Sequence, residues 1–118
     1  MAYSNNGKNL MLDALADSAS HVSLHSADPG TNGANEIAGG SPAYVRQAVT
    51  FDPASGGEMS MDGVATFDVP ASTTVAYFGV WSSVSGGTFY GGGALSASED
   101  FTAQGQYVLN ELDLDLNA

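Results

Sequence analysis

Cysteine is absent from the 118 residues of this chain. Disulfides, thiolate metal ligands, thiol nucleophiles and iron–sulfur ligation go with it. Cations are nearly absent: Lys and Arg total 2 against 13 Asp and Glu, for a formal net charge of −11. A nucleic-acid surface needs a basic footprint, which two cations do not make. Anionic membranes are disfavoured on the same ground. No apolar run approaches the roughly 18 residues that span a bilayer. The opening Met1-Ala2-Tyr3-Ser4-Asn5-Asn6-Gly7-Lys8 has one cation and no apolar stretch of the kind a secretory signal carries. The expectation is a protein made in a cytoplasm that leaves it by assembly or lysis, with neither nucleic acid nor membrane as partner. The hydrophobic share of 43 % is nevertheless too high for a disordered chain. A single folded domain over residues 1–118 is expected at this length.

One amphipathic helix is expected, over residues 8–19, after an N-terminal arm over 1–7. Asn5, Asn6 or Gly7 can cap it, and Leu10, Met11, Ala14, Leu15 and Ser18 form its helical stripe. After Ala19 the period changes from 3.6 to 2. Residues 21–26 alternate, with Val22 and Leu24 on one face. A long loop over 27–44 follows, rich in turn dipeptides: Pro29-Gly30, Asn32-Gly33, Gly39-Gly40, Ser41-Pro42. Loops of that length are usually functional. Strands are expected at 45–51, 58–61 and 64–69, the last with Ala65, Phe67 and Val69 inward. Residues 73–81 are apolar on both faces and read as a central strand, in which Gly79 marks a bulge or a close neighbour. Residues 88–90 and 94–98 read as strands separated by Gly91-Gly92-Gly93, with a turn at 99–101. The last strand is expected over 106–116, with Val108, Leu112, Leu114 and Leu116 on one face and Glu111, Asp113 and Asp115 on the other. Short strands with turns every 8–12 residues mark an all-β chain. The expected architecture is an antiparallel β-sandwich or jelly-roll-like barrel with one short N-terminal helix.

Candidate chemistry is sparse. His21 and His25 would chelate a metal from a helix, but along a strand they stand about 13 Å apart. They are expected to point away from Val22 and Leu24, toward solvent or a partner. Ser23, His25 and Asp28 have the letters of a catalytic triad, yet no Gly-x-Ser-x-Gly elbow is present. The face of Glu111, Asp113 and Asp115 offers carboxylates to a cation but no calcium-binding loop; a solvated acidic face that blocks edge pairing is the preferred reading. Arg46, on so acidic a chain, is expected to find a carboxylate, within the chain or across a subunit boundary. The aromatics Tyr77, Phe78, Trp81, Phe89 and Tyr90 are expected in the core; the other reading is a sugar-binding platform. No cofactor, metal or catalytic residue is assigned.

Several stretches carry a resemblance: Leu12-Asp13-Ala14-Leu15, "SLHSADPG" from Ser23, Gly33-Ala34-Asn35-Glu36, Tyr44-Val45-Arg46-Gln47, "FGVW" from Phe78, "GGTFYGGG" from Gly86 and Leu95-Ser96-Ala97-Ser98-Glu99. Across residues 10–112 the chain resembles a family of small virion proteins of tailed bacteriophages, many infecting actinobacteria. Members occur as tail-fibre, minor tail or head-decoration proteins. The resemblance implies a non-enzymatic structural protein of the virion. The absence of heptads and fibrous repeats favours a decoration protein on the outside of the capsid, bound to the major capsid protein lattice as a homo-oligomer, with a trimer as the guess. The alternative is a small tail or fibre-tip component, with host carbohydrate binding as a further option. The expected docking surface is the 27–44 loop with its neighbours: Asp28, Pro29, Asn32, Asn35, Glu36, Arg46, His21 and His25. The 1–7 arm is a second candidate.

Overall fold

The computed structural model describes residues 2–117. Helix α1 spans Asn5–Ser18. It starts earlier than its apolar spacing suggests because Ser4 is the cap: its Oγ accepts the Gly7 N–H at 3.1 Å. Residues 5–7 are therefore helix rather than arm. The buried face also differs from the expected stripe. Leu12 is buried, whereas Leu10 is 73 % exposed and Met11 is exposed as well. Two polar side chains set this rotation. Asn9 Oδ1 accepts the Gly57 N–H and Asp13 Oδ1 accepts the Ala54 N–H, both at 2.9 Å, so the helix is tied to the 54–57 turn.

Nine strands follow among the described residues: β1 His21–His25, β2 Gln47–Ala48, β3 Thr50–Phe51, β4 Glu58–Asp62, β5 Ala65–Val69, β6 Thr73–Trp81, β7 Phe89–Phe101, β8 Gly105–Leu109 and β9 Asp113–Asp115. All pair antiparallel, in sheets of order β2-β1-β6-β7, β3-β4-β9 and β5-β8. The all-β class with one short N-terminal helix is confirmed. The sheets wrap one shared core and do not close into a barrel.

Strand β6 is central, as its two apolar faces require: β1 lies on one side and β7 on the other. Alternation in β4 and β5 turns Met59, Met61, Ala65, Phe67 and Val69 inward. Elsewhere the strands depart from the expected pattern. The segment 45–51 is split into β2 and β3, which enter different sheets. Residues 91–93 do not end a strand, because they pair with Phe78, Gly79 and Val80 inside β7. Residues 99–101 do not turn either; they pair with Val75, Thr74 and Thr73. Between these two paired stretches, residues 95–98 bulge opposite Ala76 alone.

The C-terminal strand is two strands, β8 on β5 and β9 on β4. Its phase is the reverse of the expected one at Val108, which is 47 % exposed while Leu109 is buried. Leu116 is exposed too, and Leu112 alone of that quartet is fully buried in the core. Pairing β9 with β4 sets Asp115 opposite Glu58 and Asp113 opposite Ser60, whose Oγ donates to Asp113 Oδ1 at 2.7 Å. The Asp115 carboxylate pushes the Glu58 pKa upward. Glu111 lies outside β9, and among the described residues no three His, Cys, Asp or Glu side chains are grouped to hold a metal ion.

Phe67 is fully buried and stacks on Tyr44, with ring centroids 6.2 Å apart. Phe67→Ala is expected to cost about 3–5 kcal/mol, the usual loss for a large buried aromatic, measured as a shift in the urea unfolding midpoint at constant slope.

Candidate functional site

The strongest concentration of polar chemistry lies where the 26–46 segment folds back over β1 and the end of β6. Arg46 is at its centre and only 8 % exposed. Its Nε donates to Glu36 Oε2 and its Nη2 to Glu36 Oε1, each at 2.9 Å, a bidentate ion pair. Its Nη1 donates to the carbonyls of Ser83 and Gly86 at 3.1 and 2.9 Å. The guanidinium carbon sits 3.5 Å from the centroid of the Trp81 ring. The carboxylate partner expected for Arg46 is thus within the chain, ten positions upstream.

Glu36 also accepts from the Tyr44 hydroxyl at 2.9 Å, and that hydroxyl in turn accepts the Leu24 N–H. Burial pushes the Tyr44 pKa far upward, so the phenol keeps its proton and donates. A second chain of bonds runs from Trp81. Its Nε1–H donates to Ser23 Oγ at 2.8 Å, and Ser23 Oγ lies 2.7 Å from His25 Nε2. The other ring nitrogen, Nδ1, lies 2.7 Å from the Ala34 carbonyl. A carbonyl only accepts, so Nδ1 carries the proton. Burial holds the His25 pKa below 6.5 and the ring neutral, which leaves Nε2 as acceptor of the Ser23 hydroxyl proton.

Ser23 and His25 are therefore bonded: two residues apart on β1, they share a face. The pair does not form a triad. Asp28 Oδ1 instead accepts the Gly30 N–H at 2.9 Å, and both Ser23 and His25 are 0 % exposed. The contact has the form of a nucleophile and its base, but no substrate atom can reach it. Glycine permits this packing at two points. A Cβ on Gly79 would stand 2.6 Å from Ser23 Oγ and 2.9 Å from His25 Nε2. Gly33, at φ 75°, is pressed against the Trp81 ring, where a Cβ would come within 2.5 Å.

The eight residues expected to form a docking surface separate into two groups. His25, Pro29 and Arg46 are buried, and Glu36 is half-buried in the ion pair. The exposure expected of His25 is corrected: the 26–46 segment and Trp81 cover that face of β1. His21 is half-buried, with Nδ1 2.8 Å from Ser20 Oγ. Asp28, Asn32 and Asn35 are exposed, and each also shapes the loop. Asn32 Oδ1 accepts the Ala34 N–H, and Asn35, at φ 65°, donates from Nδ2 to the Asp28 carbonyl. The loop is not free of regular structure: bridges join His25 to Glu36 and Gly40 to Ala43. Trp81 is in the core with one face under Arg46, and its edge meets Phe89 at a centroid distance of 5.1 Å.

The architecture is thus a β-rich body with its polar residues spent on holding a loop in place. A protein-family model matches the chain over residues 2–117: Gp80, described as podophage GP4 fiber I protein gp80. The chain belongs to the Gp80 family. No curated protein matches it. Membership confirms the resemblance to small structural proteins of tailed-phage virions.

Two outcomes are expected of the network. Arg46→Lys keeps the charge but loses the bidentate fork and the stacking on Trp81. It is expected to lower stability by about 1.5–3 kcal/mol, the worth of hydrogen bonds to a charged group, in urea unfolding; a loss near zero would mean that the fork does not hold the loop. His25 has its folded pKa below its unfolded value of 6.5. Its contribution to stability is complete above 6.5 and is lost as pH falls through the folded value. In nitrogen-15 NMR of the imidazole, His25 is expected to remain the neutral Nδ1–H tautomer when the pH drops below 6.5.

Proposed function

We propose that this chain is a non-enzymatic structural subunit of a tailed-phage fibre, carried on the tail rather than as a decoration of the capsid surface. The observation that carries this reading is the match of a fibre-protein family over residues 2–117. It favours the tail alternative over the capsid-decoration reading, for which the lack of fibrous repeats was the main argument. The interior supports a structural role. The Ser23–His25 contact is sealed, and no buried side-chain nitrogen or oxygen among the described residues lacks a hydrogen-bond partner. The interior polar groups are spent on one another rather than held ready for a substrate.

Host carbohydrate binding finds no support at Trp81, although Tyr90 of the same cluster is exposed rather than in the core. Trp81 is covered by Arg46, so its ring offers no open face for a sugar. In the virion, Asp28, Asn32 and Asn35 are the members of the expected docking surface that a neighbouring protein can reach directly. Glu36, Arg46 and His25 act from beneath by fixing the shape of that loop.

Separating emptied heads from tails and quantifying this chain in each by mass spectrometry tests the assignment. Co-purification with tails, in a fixed ratio to the other tail proteins, is the expected result. A large excess in the head fraction, proportional to major capsid protein, would return the chain to the capsid.

A further inference from the structure

Three free sheet edges meet at one place, away from the Arg46 network. β7 ends the four-stranded sheet, β9 ends the sheet it shares with β3 and β4, and β8 is paired only with β5. Between them runs a groove. One part, of about 500 Å³, lies between Leu95 on β7 and Tyr107, Leu109 and Leu112 on the other side. A second part, of about 360 Å³, continues between residues 91–93 of β7 and Leu114, with Leu12 and Leu15 of α1 on its wall. Phe78 and Ala94 belong to both parts, so the two are continuous. The second part is lined chiefly by apolar surface and the first more by polar than by apolar surface, and Glu111, Asp113 and Asp115 stand along them.

Open edges of this kind are usually blocked by charge, bulge or cover. The bulge at residues 95–98 interrupts one stretch of β7 and a second irregularity falls at Tyr90, but between them residues 91–93 are glycines paired in register with β6, which bring no side chains of their own to the edge. An incoming strand would meet unpaired backbone groups and, beside residues 91–93, an apolar pocket at once. Charge decides what that strand carries. Arg46 is sealed in the network, and Lys8 Nζ is bonded to Asn117 Oδ1 at 2.8 Å. A second copy of this chain would bring a net charge of −11 to the same carboxylates.

We propose that the groove between β7 and β8–β9 docks an extended segment of a partner protein that carries lysine or arginine and adds to the β7 edge as a further strand. This rests on the groove alone and stands or falls apart from the assignment to head or tail. A suitable probe is a fluorescein-labelled peptide alternating valine and lysine over about eight residues, roughly 26 Å when extended; a valine–glutamate peptide of the same length is its counterpart. Fluorescence anisotropy with the full chain at low salt is expected to show saturable binding of the lysine peptide only. Binding should weaken at least about tenfold when the rim is reversed by Glu111→Lys with Asp113→Lys. It should weaken as much when Gly91→Phe fills the groove. A Cβ at Gly91 meets nothing within 4 Å, so this variant is expected to melt like the parent. The proposal is overturned by failure of the lysine peptide to saturate, by equal binding of the glutamate peptide, or by unchanged binding in folded Gly91→Phe. Self-association of the chain that Gly91→Phe abolishes would also overturn it, since the occupant would then be a second copy.

Discussion

A guanidinium removed from water must find its whole solvation shell inside the protein, and Arg46 imposes that demand on three distant pieces of chain. Glu36 supplies the charge, the 83–86 turn supplies two carbonyls, and Trp81 supplies a ring face. A buried ion pair alone is weak grounds for stability, because desolvation offsets much of the attraction. Here each of the three guanidinium nitrogens is directed at an acceptor, and the same Glu36 also receives Tyr44. The result fixes where the long loop sits. Once Glu36 and Arg46 are placed, Ala34 lies over His25, and His25 can be buried neutral with both ring nitrogens occupied.

How far this was legible from sequence differed by the range of the interaction. Residues 65–69 and 73–81 announced themselves, because alternation and a two-faced apolar run are local signals. The glycines at 91–93 read as a turn for an equally local reason, yet they are strand, because the neighbouring β6 accepts them edge to edge. The helix face was misjudged since Asn9 and Asp13, polar by type, dock onto a turn some forty residues away. Val108 and Leu109 exchanged faces because the last strand breaks and its two halves serve different sheets. That Arg46 would find a carboxylate followed from scarcity, since two cations stand among 13 acidic residues; that the carboxylate is Glu36, in the same chain, did not. The burial of His25 gave no such sign. It depends on Ala34 and Trp81, which sequence spacing does not bring to the same place.

Both basic side chains are occupied in holding the chain together, one at each end of the long scale of contacts. Arg46 closes the loop over the sheet, and Lys8 reaches from the helix to Asn117. Apart from Glu36, the described carboxylates are left without a cation, and where they are brought opposite one another, as Glu58 and Asp115 are, their mutual repulsion pushes the Glu58 pKa upward. Like charge on every copy disfavours self-association and favours surfaces of opposite charge.

The Lys8–Asn117 bond has a topological consequence. It places the start of the first helix beside the segment that follows the last strand, so the described fold begins and ends on one face. Joining those two points with a short linker and cutting the chain at an exposed turn outside the Arg46 network, such as the one at residues 63–64, would give a circular permutant with every strand pairing preserved. For the same reason, whatever polypeptide is attached at either point departs from one side of the body.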